Sequence, residues 1–151
     1  MPVIAAGQAA PELSLERHAL PPFTRADLAG RTTLLVFYPF AFSPVCTSQL
    51  GVYQEVLGDL AEHGVTVYGV SCDATYSQEA FRRELGITIE QLSDFEPKGA
   101  ACRAFGVLHP EGFPQRALVL IGPDGIVRWS YEAADPGELP GINLVFDALD
   151  A

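Results

Sequence analysis

Unbroken apolar runs alternate along this chain with segments that are apolar only on a helical stripe. Thr32–Tyr38 is β-branched, aromatic or aliphatic at every position, the pattern of a strand buried on both faces of a sheet. Val65–Val70 repeats it. Between them Leu50, Tyr53, Val56, Leu57 and Leu60 keep helical spacing, with Ser43-Pro44 as the start and Gly64 as the stop. Serine is a favoured N-cap, proline suits the first helical position, and glycine suits the C-terminal exit. Ser77–Leu85 predicts a second helix stopped by Gly86, Ile87–Leu92 a short strand, and Pro97–Phe105 a third helix ended by Gly106. Arg116–Ile121 and Ile126–Tyr131 flank the turn Gly122-Pro123-Asp124-Gly125 and predict a hairpin. A last helix is expected over Leu144–Leu149, after Pro136-Gly137. Ahead of all these, Ala9–Leu15 and Pro21–Thr24 read as short extended pieces, and Asp27–Gly30 as the turn into the first central strand.

Strands that alternate with helices and end in a hairpin predict an α/β fold. The expected architecture is a mixed central sheet flanked by helices, with a short N-terminal extension, in one domain over residues 1–151. That length supports one sizeable core, and 48% hydrophobic with 19% charged residues excludes a disordered chain. The formal net charge of −10, with Lys98 as the single lysine, argues against nucleic acid or an anionic membrane as partner, because both need a basic surface. No segment approaches the roughly 18 apolar residues of a membrane helix. Met1–Gly7 lacks the basic flank and apolar stretch of a signal peptide, which predicts a cytoplasmic protein.

Cys46, Cys72 and Cys102 lie far apart in the chain, and no C-x-x-C is present. Neither a zinc knuckle nor a thioredoxin-type dithiol is visible, and His18, His63 and His109 form no ligand-spaced pair. No metal and no cofactor are expected.

The chemistry gathers at Pro39-Phe40-Ala41-Phe42-Ser43-Pro44-Val45-Cys46. With Ser43 as N-cap, Cys46 lies in the first turn of its helix, where unsatisfied N–H groups and the helix dipole favour a thiolate over a thiol. A free cysteine is also a common small core residue, and that reading stands beside the first. Ser43 offers a hydroxyl one turn before the sulfur, either to cap the helix or to orient a hydroperoxide for in-line attack. The N–H groups of Val45 and Cys46 are placed to stabilise charge on a leaving oxygen. Pro39 supplies no backbone donor and shields the loop.

Pro39-x-x-x-Ser43-x-x-Cys46 resembles the P-x-x-x-(T/S)-x-x-C signature of peroxiredoxins. Thr33–Tyr38 ahead of it looks like the family's third strand, and Val67–Ser71, Leu92–Asp94, Arg103–Val107 and Arg116–Ile121 resemble family landmarks in the right order. The resemblance runs from about Gly7 to the C-terminus. The Phe40-Ala41-Phe42 loop and the lack of a C-terminal extension look most like the alkyl hydroperoxide reductase E-like subgroup. It implies a thioredoxin-like fold and a thiol-dependent peroxidase in which Cys46 attacks a hydrogen or organic hydroperoxide and becomes a sulfenic acid. Arg116 matches the family's catalytic arginine, whose guanidinium would favour the thiolate and the transition state. Many relatives have an acid three residues after the nucleophile; here Gln49 stands there, able to accept from arginine but adding no negative charge. The implied partners are the hydroperoxide, a thiol reductant (a thioredoxin-like protein or a low-molecular-weight thiol) and a second copy of the chain.

The sulfenic acid must be resolved by a thiol. Gly51 occupies one place where relatives carry a resolving cysteine, and none lies near the chain end. An external thiol therefore ranks first. Cys72, at the end of a strand expected beside the one before Pro39, ranks second, and Cys102, in a helix flanked by alanines, third. Two other readings stay open: a thiol–disulfide oxidoreductase or redox-linked chaperone on the same fold, and a non-enzymatic module with an inert Cys46.

Overall fold

The computed structural model describes residues 3–133 and 141–150. Strands β1 (Ser14–Arg17) and β2 (Leu20–Thr24) form an antiparallel N-terminal hairpin. A 3-10 turn at Arg25–Leu28 leads into β3 (Thr32–Phe37), α1 (Pro44–Glu55), α2 (Leu57–Glu62), β4 (Val65–Ser71) and α3 (Thr75–Leu85). The chain continues through β5 (Glu90–Ser93), α4 (Ala100–Ala104), β6 (Ala117–Ile121), β7 (Val127–Glu132) and α5 (Asn143–Asp150). All seven strands share one sheet in the order β2-β1-β5-β4-β3-β6-β7. β3, β4 and β5 run parallel, β6 runs antiparallel to β3, and β6–β7 is the expected hairpin, so the sheet is mixed.

Side-chain alternation divides the core into two layers. Leu34 and Val36 of β3 with Tyr38 just after it, Val65 and Val67 of β4 and Leu118 and Leu120 of β6 face one side. Onto that side pack Cys46, Leu50 and Tyr53 of α1, Leu60 of α2, Phe81 of α3 and Val145 of α5. The odd-numbered partners Leu35, Phe37, Ala117, Val119 and Ile121, with Tyr68, Val70 and Leu92, face the opposite side. There they meet Leu15, Phe23 and Leu28 of the N-terminal segment and Ala101, Cys102 and Phe105 around α4. This period-two division is what places every functional side chain on one face or the other.

Several element boundaries differ from the sequence expectation, and three of the differences have a clear local cause. The helix expected to run to Gly64 breaks at Val56 (φ −105°, ψ 11°), where a β-branched residue with Gly58 close behind gives weak helix propensity. Gly64 takes the left-handed conformation expected of a stop (φ +75°). β5 begins only at Glu90, because the N–H groups ahead of it are engaged elsewhere: Ile87 donates to the Arg82 carbonyl, and Thr88 and Ile89 donate to Gln54 Oε1. α4 is confined to Ala100–Ala104, since Gly99 sits at φ +73° and precludes an earlier helical start. Pro136-Gly137 falls outside the described residues.

Candidate active site

β3 delivers the chain to the site and α1 carries it away. Tyr38 N–H still donates to the Val70 carbonyl (3.0 Å), Pro39 is buried, and Phe42 adopts a left-handed conformation (φ +71°) rare for a non-glycine residue. Ser43 then occupies the N-cap with extended geometry, and Thr47 N–H makes the first helical bond to its carbonyl (2.9 Å). The Ser43 hydroxyl makes no capping hydrogen bond, which leaves it available to a substrate. By their position in the first turn, the N–H groups of Val45 and Cys46 have no intrahelical acceptor.

Cys46 is fully buried beneath this turn. Arg116, at the residue before β6, is 2% exposed. Its Nη2 donates to Cys46 Sγ at 3.2 Å and its Nη1 to Gln49 Oε1 at 2.7 Å. A buried guanidinium is tolerated only with such partners, and a charge-assisted hydrogen bond to sulfur is strongest when the sulfur is anionic. Gln49 is itself fully buried one turn after Cys46, so α1 supplies both the cysteine and the oxygen that hold the arginine. Tyr53, the next residue down that helix face, has its phenol pushed up to about 12, first by burial, with Gln49 and Arg116 opposing. Arg116 thus touches both Cys46 and Gln49, with Ser43 at the helix entrance and Pro39 behind the loop.

A polar network that the sequence reading did not single out holds that loop. Asp73 Oδ2 accepts the Ala41 N–H and the Ser71 hydroxyl, both at 2.8 Å. Ser71 Oγ in turn accepts from Gln78 Nε2 (2.9 Å), which also donates to the Leu92 carbonyl (2.8 Å). The backbone carbonyl of Asp73 accepts the Ser93 hydroxyl at 2.6 Å. The only sequence signal for it was Ser71-x-Asp73 directly after a parallel strand, where site residues of α/β folds gather.

Cys72 and Cys102 are placed together, not beside Cys46. Both pack in the core layer on the other side of the sheet, Cys102 fully buried and Cys72 half-buried. With Asp94 they form a cluster whose ligand atoms lie within 4.8 Å of one another. Among the described residues it is the one group of three or more His, Cys, Asp or Glu side chains close enough to hold a metal ion. His18, His63 and His109 lie apart, each against a different aromatic ring: Tyr76, Phe146 and Phe113.

Comparison with known proteins places this geometry in context. Residues 6–130, which include all three cysteines and Arg116, match the family model described as the AhpC/TSA family. The chain is 35% identical over 108 residues to the alkyl hydroperoxide reductase C of Amphibacillus xylanus, covering 70% of this chain and 57% of that relative. It is 29% identical over 147 residues to the alkyl hydroperoxide reductase E of Mycobacterium tuberculosis, covering 96% of this chain and 95% of that one. Among solved structures, the Enterococcus faecalis AhpC superposes with a TM-score of 0.88 at 27% identity, over 97% of this chain and 90% of that chain. The fold is accordingly the thioredoxin-like one expected from the order of elements. With a family match over most of its length and a buried cysteine under arginine at the head of α1, this chain belongs to the AhpC/TSA family of peroxiredoxins.

Proposed function

We propose that the chain is a thiol-dependent peroxidase that reduces hydrogen or organic hydroperoxides at Cys46. The observation that carries the reading is the contact of Arg116 Nη2 with Cys46 Sγ at 3.2 Å, at a buried cysteine in the first helical turn. The Cys46 thiolate attacks the terminal oxygen of ROOH and the O–O bond breaks. The departing RO⁻ takes a proton to leave as alcohol or water, and Cys46 becomes a sulfenic acid. Arg116 lies against the reacting sulfur, and the Val45 and Cys46 N–H groups stabilise charge on the leaving oxygen. The Ser43 hydroxyl orients the peroxide, while buried Pro39 keeps the back of the loop free of competing donors.

The sulfenic acid is resolved by an external thiol, because Cys72 and Cys102 pack on the far side of the sheet. One thiol displaces water to give a mixed disulfide at Cys46, and a second releases the Cys46 thiol as the external disulfide forms. A thioredoxin-like protein or a low-molecular-weight thiol meets this need. Three unpaired cysteines suit a reducing, cytoplasmic setting, and no described helix is long and apolar enough to cross a membrane. Exposed Phe40 and Phe42 beside the site suit a homodimer contact, read by light scattering as twice the chain mass. Replacing Cys46 with serine tests the reading: peroxide consumption falls to background with an unchanged circular dichroism spectrum. Turnover near the parent rate would overturn it.

A further inference from the structure

Cys72 and Cys102 are not used by the chemistry at Cys46, yet their sulfur atoms and the Asp94 carboxylate all lie within 4.8 Å of one another. The two thiols differ in setting. Cys72 follows the end of β4, is half-buried, and lines a cavity of about 370 Å³ together with Phe40, Phe95, Lys98 and Phe113. Cys102 is fully buried inside α4, held by its N–H bond to Asp94 Oδ2 (2.8 Å). We propose that Cys72 and Cys102 form a second redox centre, a dithiol in which Cys72 takes a hydroperoxide from this cavity and Cys102 closes the disulfide.

The roles follow from the environment. Cys102 hydrogen-bonds the Cys72 sulfur, and this, with nearby Lys98, holds the Cys72 thiol below its ordinary range against the opposing effects of burial and Asp94. The same hydrogen bond, then burial and Asp94, push the Cys102 thiol far up, so it keeps its proton. The accessible sulfur is thus the better nucleophile, and the buried one holds the proton that the second step needs. In the first step Cys72 sulfur bonds to the terminal oxygen of ROOH, the O–O bond breaks, and RO⁻ takes the proton given up by the Cys72 thiol to leave as ROH. In the second, Cys102 sulfur attacks Cys72 sulfur, the S–O bond breaks, and the departing hydroxide takes the Cys102 proton to leave as water. Two electrons pass from the thiols to the peroxide, and two equivalents of external thiol reverse the change. Reaching the bonded S–S distance of about 2.05 Å calls on movement of Cys72, which lies beyond its strand, more than of helical Cys102.

A metal centre fits these residues less well. Both oxygens of Asp94 already accept backbone N–H groups, Oδ1 from Ala101 (3.1 Å) and Oδ2 from Cys102. That leaves two sulfurs as the donors not held by backbone groups, short of the four ligands of a structural zinc site.

The test uses the full chain with Cys46→Ser, treated with hydrogen peroxide, alkylated under denaturing conditions and mapped without reduction. The expected result is a mass loss of two hydrogens, a linked peptide joining Cys72 to Cys102, and recovery of both thiols with dithiothreitol. Should Cys46→Ser fail to fold, the same linked peptide is sought in the parent chain with Cys46 trapped by dimedone. Both thiols remaining alkylatable after peroxide would overturn the proposal. So would stoichiometric zinc retained in native mass spectrometry after zinc sulfate is added, with both thiols protected. Events at Cys46 are read on a separate peptide, so failure of the pair and failure of the peroxidase reading are distinguishable.

Discussion

The two faces of the sheet carry sulfur in opposite settings. On one, Cys46 is fully buried under a guanidinium and a helix N-terminus, and its neighbours Gln49, Tyr53 and Arg116 are fixed by helix α1 and the start of β6. On the other, Cys72 stands half-open on a cavity and its close neighbour is a second thiol. The first arrangement stabilises charge and excludes water, which serves one fast displacement at oxygen. The second places a proton-bearing sulfur next to a nucleophilic one, which serves disulfide closure. Charge partners make a thiol reactive, whereas a thiol partner makes its oxidation reversible.

The largest expected effect that separates the two faces comes from Arg116→Met. It removes the donor to Cys46 Sγ and should slow peroxide reduction by about 10²–10³-fold, the usual loss for a transition-state donor. Stopped-flow fluorescence or competition kinetics would measure it, while alkylation of Cys72 in the same protein stays at the parent rate. A rate within twofold of the parent would place Arg116 outside the chemistry. Next in size, Phe37→Ala cuts a buried ring shared with Phe105 on the Cys72–Cys102 face and should cost about 3–5 kcal/mol in urea unfolding.

A smaller and more discriminating effect is expected from Ser43→Ala. Its hydroxyl makes no cap bond, so the change should slow peroxide reduction by about tenfold while iodoacetamide alkylation of Cys46 hardly moves. Equal slowing of both reactions would instead return Ser43 to a capping role. On the opposite face, Cys102→Ala removes the hydrogen bond that lowers the Cys72 thiol, so its alkylation profile should shift to higher pH. The profile is read by following iodoacetamide incorporation at the Cys72 peptide. An unchanged profile would mean that the two sulfurs do not interact. Smallest of all, Asp73→Ala frees the Ala41 N–H and should slow peroxide reduction only several-fold by loosening the loop before α1, with about 1–3 kcal/mol lost from unfolding.

The residues that could be read from the chain were those governed by local rules. Ser43-Pro44 announced the helix start, the position of Cys46 in its first turn followed, Pro39 closes a strand with an unmistakable apolar run, and Arg116, at the head of another strand, came from the resemblance to peroxiredoxins. The orientation of Cys72 is also written in strand alternation. Tyr68, Val70 and Cys72 share one parity, while Cys46 packs with Leu34, Val36 and Tyr38 on the other side. Strand proximity ranked Cys72 behind an external thiol as a partner for Cys46; alternation puts the two side chains in different core layers. What no local pattern contained were contacts between distant segments: Gln54 capping the residues before β5, Asp73 holding Ala41, and Asp94 binding the first turn of α4. Each depends on a side chain meeting backbone from another element, and such pairings arise only once the sheet is assembled.

The most direct test of the central claim is a rapid-quench reaction of the reduced parent chain with one equivalent of hydrogen peroxide, trapped with dimedone and mapped by peptide mass. The account predicts a dimedone adduct on the Cys46 peptide at the earliest times, before any Cys72–Cys102 link accumulates. An unmodified Cys46 peptide with the peroxide consumed elsewhere would contradict it.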